Sequence, residues 1–234
     1  NEEAEITCFE KDPLTGLILR HLHPDDTVRV QGLETIEPAY EGHFDLITSN
    51  IPFGDVSLFD PAFSSSRDPV RRQGAWAIHN YFFMKSVDLV RAGGLIAFIT
   101  SQGMADAERN RPVREWLMER CDLVAAVRLP NNLFTDHAGT EVGSDLIVLQ
   151  KNSAARPLSE RQRDFIETRT LSNGITVNNS FRSLDRVVQT SAKVGTNPYG
   201  KPAMEFTHAG GVEGIARALA DMLAEDMERH FNRE

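Results

Sequence analysis

The sequence is poor in the features that mark secreted, membrane-spanning or autonomously nucleic-acid-binding chains. Only two cysteines, Cys8 and Cys121, occur in 234 residues, both in apolar strand-like runs and far apart. They offer neither a disulfide framework nor a thiolate metal cluster, and are read as buried free thiols of a protein kept in a reducing cytoplasm. No run reaches the roughly 18 consecutive apolar residues of a spanning helix, so no membrane partner is expected. Positive charge is in deficit: 25 Lys+Arg against 34 Asp+Glu give a formal charge of −9. A free-standing nucleic-acid binder grips with a cationic face, which this balance disfavours. A catalytic module that borrows its grip from another domain stays open. The chain starts Asn1-Glu2-Glu3, without the features of a signal peptide and without an initiating Met, so a piece of a longer protein is expected. Internal repeats and long low-complexity tracts are absent as well.

What is present is an ordinary globular balance, 41% hydrophobic and 25% charged, enough for one α/β domain and an appendage. Apolar runs at 5–9, 27–30, 44–48, 95–100, 123–127 and 144–149 read as strands. Helical patterns cover 14–22, a long stretch from Arg71 to Val90 stopped by Gly93-Gly94, and 112–120. The strand runs are continuously hydrophobic rather than alternating, which means both faces are covered. A doubly wound, mostly parallel sheet follows. The last two runs have no helix between them and pair most simply as an antiparallel hairpin at the sheet edge. Residues 1–151 form the expected catalytic domain, and 152–234 a helical and irregular C-terminal extension. In that extension an amphipathic helix over 212–231 carries Val212, Ile215, Leu219, Met222 and Leu223 on one stripe. The stripe suits docking onto the sheet or a neighbouring domain, and a partner-binding helix is the other reading.

Sheets of this class bind ligands beyond the carboxyl ends of their strands. After 44–48 comes Ser49-Asn50-Ile51-Pro52-Phe53-Gly54. The Asn50 side-chain carbonyl and the Ile51 backbone carbonyl can each accept a hydrogen bond from an amino group. Pro52 stiffens the turn, and Phe53 offers a flat face for a planar ring. An Asn-Pro turn with a core Phe is the plainer alternative. Glu10 ends the strand 5–9 and suits a ribose hydroxyl pair or a helix cap. Glu34 suits an adenine amino group or is surface charge. Arg67, Arg71 and Arg72, and likewise Arg109, Arg111 and Arg114, fall near the same edge as phosphate contacts or solvated charge. Ser101-Gln102-Gly103 ends another strand and would line the same cleft. His79-Asn80-Tyr81 reads as packing and capping. Asp136, His137 and Glu141 share one loop without ligand spacing, so no metal is expected.

These residues carry a resemblance. Glu10, the Asn50 element, His79-Asn80-Tyr81-Phe82-Phe83, the run 93–100, Arg128-Leu129-Pro130 through Phe134, and Leu146 to Lys151 resemble the motifs of S-adenosylmethionine-dependent N6-adenine DNA methyltransferases. Their order is similar to that of type I modification subunits and of the large methylase-helicase proteins of mobile elements. The resemblance implies a Rossmann-like sheet with a late antiparallel strand, and S-adenosyl-L-methionine as cofactor. It implies that Glu10 holds the cofactor ribose, that Asn50 and the Ile51 carbonyl orient the target amine, and that Phe53 stacks on a flipped adenine. DNA is the implied partner, reached through additional domains, helicase-like or specificity-determining.

Three departures matter. Ile51 stands where the family usually has proline, so a looser turn is expected. The glycine-rich first motif is absent, so the first strand and half of the cofactor pocket are expected to be missing, leaving this chain inactive on its own. No target-recognition domain is evident after Lys151. Open strand edges would also favour self-association. Methylation of RNA or of a protein glutamine, and a non-catalytic scaffold that keeps the fold for assembly, are the competing readings.

Overall fold

The structure is a computed structural model and describes residues 4–54, 56–135, 141–196, 200 and 202–233. Two sets of strands carry the fold. In the first, β1 (Thr7–Glu10) pairs in parallel with β2 (Thr27–Val30). The crossover between them is α1 (Pro13–Leu22). This helix starts where it does because the Asp12 carboxylate accepts the Thr15 N–H at 2.7 Å and Pro13 needs no partner in the first turn. The second set comprises β3 (Phe44–Asn50), β4 (Val90–Ser101), β5 (Cys121–Leu129) and β6 (Ser144–Lys151), in the spatial order β3-β4-β6-β5. β3 and β4 are parallel, and β6 runs antiparallel to both β4 and β5. The antiparallel pairing expected of the last two runs is present, with β6 inside and β5 at the edge.

The two sets form separate sheets. The two sets touch instead through Phe9, whose ring lies edge-on to Tyr40 at 5.8 Å and to Phe44 at 6.2 Å.

The long helix expected from Arg71 to Val90 is broken. After α2 (Pro61–Ser64), Asp68 caps α3 (Pro69–Gly74), and a separate α4 (Ile78–Leu89) follows. Nor does Gly93-Gly94 stop it. The chain passes directly from Leu89 into β4, because Val90 is extended and fully buried. Gly93 takes φ +77° inside the strand, beside the register shift against β3, so it serves a bulge rather than a cap. α5 (Gly103–Asp106) and α6 (Arg111–Met118) then lead into β5.

Past Lys151 comes α7 (Glu160–Ile166), fixed by a reciprocal Ser159–Gln162 capping box. The segment expected to be irregular holds two hairpins, β7 (Thr168–Thr170) with β8 (Thr176–Asn178) and β9 (Ser191–Thr196) with β10 (Pro202–Thr207). The final helix, α8 (Gly211–His230), docks as its stripe suggests: Leu219, Leu223 and Met227 pack on Val124, Ala125, Leu129, Leu146 and Val148 of β5 and β6. Val212 stays exposed and takes no part. The opposite sheet face is covered by α4, α6 and α7 through Tyr81, Phe83, Leu117 and Phe165. Both faces of β5 and β6 are therefore buried, the physical reason for their unbroken hydrophobicity.

One ionic contact pins α8. Buried Asp226 receives Arg161 at 3.2 Å and Arg186, and Arg161 also donates to the Val124 carbonyl of β5. Removing the carboxylate leaves two guanidinium groups uncompensated. Asp226→Ala is expected to cost about 3–5 kcal/mol in urea unfolding, whereas a loss under 1 kcal/mol would mean the pair is solvated in practice.

Candidate active site

β3 and β4 run in parallel, so their carboxyl ends share one edge, whereas Phe9 near the end of β1 meets Phe44 at the start of β3. β3 delivers Asn50 opposite Ile99 of β4. Its ladder runs one residue further, since the Ile51 N–H donates to the Ile99 carbonyl at 2.9 Å. The Ile51 side chain is buried in the main core. The looser turn expected of isoleucine is therefore not what forms. Isoleucine keeps an N–H that proline lacks, and uses it with core burial to anchor the turn. The Asn50 side chain is exposed and makes no hydrogen bond among the described residues, and the Ile51 carbonyl is likewise uncommitted there. Two acceptors thus sit side by side on a fixed backbone. Exposed Pro52 leads to Phe53, whose ring is 38% exposed and meets Phe134 at 5.8 Å and 66°. Phe134 lies in the short helical turn Asn131–Phe134 after β5, so the loops after β3 and β5 close on each other through two rings.

The loop after Asn50 is anchored at its far end. Leu58 N–H donates to the Ala75 carbonyl at 2.9 Å. Buried Asp60 accepts from the Tyr81 hydroxyl at 2.6 Å, the Ala62 N–H at 2.7 Å and Lys85 at 3.4 Å. Burial pushes the Asp60 carboxyl up, but Tyr81, the Ala62 amide and Lys85 outweigh it and hold it below the usual aspartate range.

On the cofactor side, Glu10 uses one carboxylate oxygen for the Asp12 N–H at 2.8 Å and keeps the other uncommitted among the described residues. Glu34 is engaged: Lys11 donates to it at 2.5 Å. Burial opposes its charge, but the Lys11 hydrogen bond prevails and its pKa is lowered. An adenine amino group at Glu34 would have to compete with Lys11.

The arginines separate clearly. Arg71 is held by Asp88 through two bonds at 2.8 and 2.7 Å, Arg111 pairs with Glu167 at 2.6 Å, and fully buried Arg114 donates to the Ile166, Met104 and Ala107 carbonyls. These three are structural, while Arg67 and Arg72 stay exposed. His79 and Asn80 are buried beside Asn110, as packing. Asp136 and His137 lie outside the described residues.

Sequence reasoning missed Phe134 as the partner of Phe53, and missed a buried ionic cluster just behind the edge. Arg128 donates to Asp145 at 2.8 Å and to Asp106 at 2.9 Å, with Phe181 below its guanidinium at 4.2 Å. Burial works against the Arg128 charge, yet the two carboxylates outweigh it and raise its pKa. The signal was there: single charges inside Leu123–Leu129 and Ser144–Leu149, paired by the hairpin register.

The sequence model of the N-6 DNA Methylase family matches residues 17–215, most of the chain. The chain belongs to the N-6 DNA methylase family. No curated protein matches it significantly. Among solved structures it is similar to the modification subunit of a candidate type I restriction enzyme from Vibrio vulnificus YJ016, with 13% identity and TM-score 0.52 over 79% of this chain and 49% of that one. It is also similar to a candidate class I S-adenosylmethionine-dependent methyltransferase from Listeria monocytogenes, with 16% identity and TM-score 0.51 over 68% of this chain and 48% of that one. The chain spans about half the length of these structures. At such identities the likeness is one of fold: the Rossmann-like sheet of class I methyltransferases with its late antiparallel strand. This N-6 DNA methylase chain has no helix long and apolar enough to cross a membrane among its described residues.

The Asp60 anchor gives an acid-sensitive contact. A depressed carboxyl stabilises the fold fully above its ordinary pKa of roughly 3.9, and that contribution fades as pH falls through the lower folded value. Urea midpoints measured from pH 5 down to pH 2 should fall less steeply for Asp60→Asn than for the wild type. Identical slopes would show that Asp60 is not charged against these donors.

Proposed function

We propose that the protein bearing this chain transfers a methyl group from S-adenosyl-L-methionine to the exocyclic N6 amino group of adenine in DNA. The observation that carries this reading is the uncommitted Asn50 amide beside the Ile51 carbonyl, next to the paired Phe53 and Phe134 rings. Family membership supports the same chemistry.

The donor set fits the cofactor at the point it can be tested. Glu10, at the tip of β1, has an oxygen free for a ribose hydroxyl pair. When bound, the cofactor supplies a methyl group on a sulfonium centre, an electrophile open to direct displacement. The chain's own residues do the aligning. Asn50 and the Ile51 carbonyl would accept the two amine protons and leave the nitrogen lone pair aimed outward. Phe53 would stack on the adenine, with Phe134 limiting its tilt, which offsets part of the few kcal/mol that unstacking the base costs. Formation of the N–CH3 bond would break the S–CH3 bond and leave the thioether S-adenosyl-L-homocysteine, and the amine would lose a proton to solvent. The rate gain here comes from position, so the rigidity of the Ile51 anchor matters more than any acid or base.

The acidic chain suits a catalytic module whose hold on DNA comes from additional domains, specificity-determining or helicase-like, in a reducing cytoplasm. Asn50→Ala is expected to lower kcat for methyl transfer about 100-fold or more. Phe53→Ala should raise KM for DNA about tenfold, the worth of one stacking contact. Label appearing in RNA or in protein instead of DNA would move the reading to those substrates, and an Asn50→Ala enzyme as active as wild type would remove Asn50 from the site.

A further inference from the structure

One wall of the edge that carries Asn50 is held from the far end of the chain. β5 is antiparallel to β6, β6 is antiparallel to β4, and β4 is parallel to β3. The carboxyl end of β5 therefore shares the edge of Asn50, and the turn Asn131–Phe134 follows it there. From this turn Phe134 meets Phe53 at 5.8 Å. A single short turn of this tight kind has little bonding of its own with which to fix a ring. What it is fastened to decides where the ring stands.

Two asparagines of the turn do the fastening. β10 pairs only with β9 among the described residues, which leaves its other edge open. Asn131 Oδ1 accepts the Phe206 N–H at 2.9 Å, and Asn132 Oδ1 accepts the His208 N–H at 3.0 Å. Asn132 also donates through Nδ2 to the His208 carbonyl at 3.1 Å. A carboxamide carries a donor and an acceptor as a peptide group does. Two side chains thus stand in for a neighbouring strand and cover the edge of β10. Beside them Leu133 packs on Val127 of β5 and Ile215 of α8. The Asn131 carbonyl accepts the Val142 N–H at 3.2 Å, just before β6. The turn is fixed to β10, α8 and the entry to β6 together, and Phe134 is its last residue.

We propose that Asn131 and Asn132 are positioning residues of the active edge: they clasp β10 and so hold Phe134 against Phe53, which makes the segment after Lys151 the builder of one wall of the base pocket. The proposal rests on the reading of the Asn50 site as a DNA adenine methylation site. Phe53 is the face on which the base stacks in that reading, and Phe134 sets the tilt of its ring. An edge-on aromatic pair contributes beyond the area it buries, but only while both rings keep their places. On the Phe53 side the backbone is fixed by the ladder bond of Ile51. On the Phe134 side it is fixed by the two amides. With both fixed, the stacking face is preformed, and DNA binding needs no further ordering of these loops.

The test is transfer of label from S-adenosyl-L-methionine to DNA lacking adenine methylation, by the complete protein bearing this chain. Thermal melts establish that each variant folds, and Asn131→Ala alone serves if Asn131→Ala/Asn132→Ala does not. Loss of both amides should raise KM for DNA about three- to tenfold, the worth of one aromatic edge contact, and leave KM for the cofactor unchanged. Asn131→Asp keeps the acceptor for Phe206 and should retain the wild-type KM for DNA. Asn132→Asp loses the donor to His208 and should not. In a Phe134→Ala background, removing the amides should add nothing further. Without DNA or cofactor, hydrogen exchange in the 131–134 turn should quicken in the double-alanine variant and not in Asn131→Asp. A wild-type KM for DNA in the double-alanine variant, or a full further rise in the Phe134→Ala background, would overturn the positioning role and leave methylation standing. A matching rise in KM for the cofactor would also overturn it, as general loosening of the fold. Label in RNA or protein with DNA unmodified would overturn both readings.

Discussion

A single ladder bond beyond the end of β3, from the Ile51 N–H to the Ile99 carbonyl, decides where the acceptor loop begins. Everything at the active edge is referred to it. Asn50 is the last residue whose direction the sheet still dictates, and Ile51 is the first whose side chain is committed to the core. The amide is thereby left facing solvent on a backbone that cannot swing. The loop beyond has a second fixed point at Asp60, bound to Tyr81 and Lys85 of α4. A loop held at both ends can present rings outward without collapsing on them, which is the condition for a preformed site.

The buried charges serve the same purpose from behind. Arg128 ties β5 to β6 through Asp145 and to α5 through Asp106, so the strand ends that bring Phe134 toward Phe53 are locked in register. Asp226 does the equivalent on the opposite sheet face, binding α8 to the segment bearing Arg186 and to Arg161 of α7. Residues 152–234 are in this respect a structural cover: without α8, the apolar side chains of Val124, Leu146 and Val148 would face water.

Much of this was legible in the sequence where a single physical cause dominated. Strands buried on both faces wrote themselves as unbroken apolar runs, and a missing crossover helix announced the antiparallel β5–β6 pair. Asn50, Pro52 and Phe53 were legible because polar and aromatic chemistry follows a central strand there. The helix expected through 71–90 was not, because its break depends on Asp68 and Pro69 starting one helix and on tertiary burial of Ala75 and Ala77 starting another. The hairpins of 168–207 were not legible, because strands of three to six residues in a stretch rich in Ser, Thr and Asn are too short for the alternation of Ile175 and Val177 to stand out as a period. Phe134 was readable as a motif residue, but its contact with Phe53 belongs to the fold, not to the spacing. Glu34 could be noticed but not assigned, because only the structure shows Lys11 already holding it.

In the proposed reading, the edge carrying Asn50 methylates adenine on its exocyclic nitrogen. The most direct measurement is the identity of the modified nucleoside, obtained by enzymatic digestion and mass spectrometry of DNA incubated with the protein and labelled S-adenosyl-L-methionine. The expected labelled product is N6-methyldeoxyadenosine. Label on cytosine, or label recovered from RNA or protein with DNA left unmodified, would contradict it.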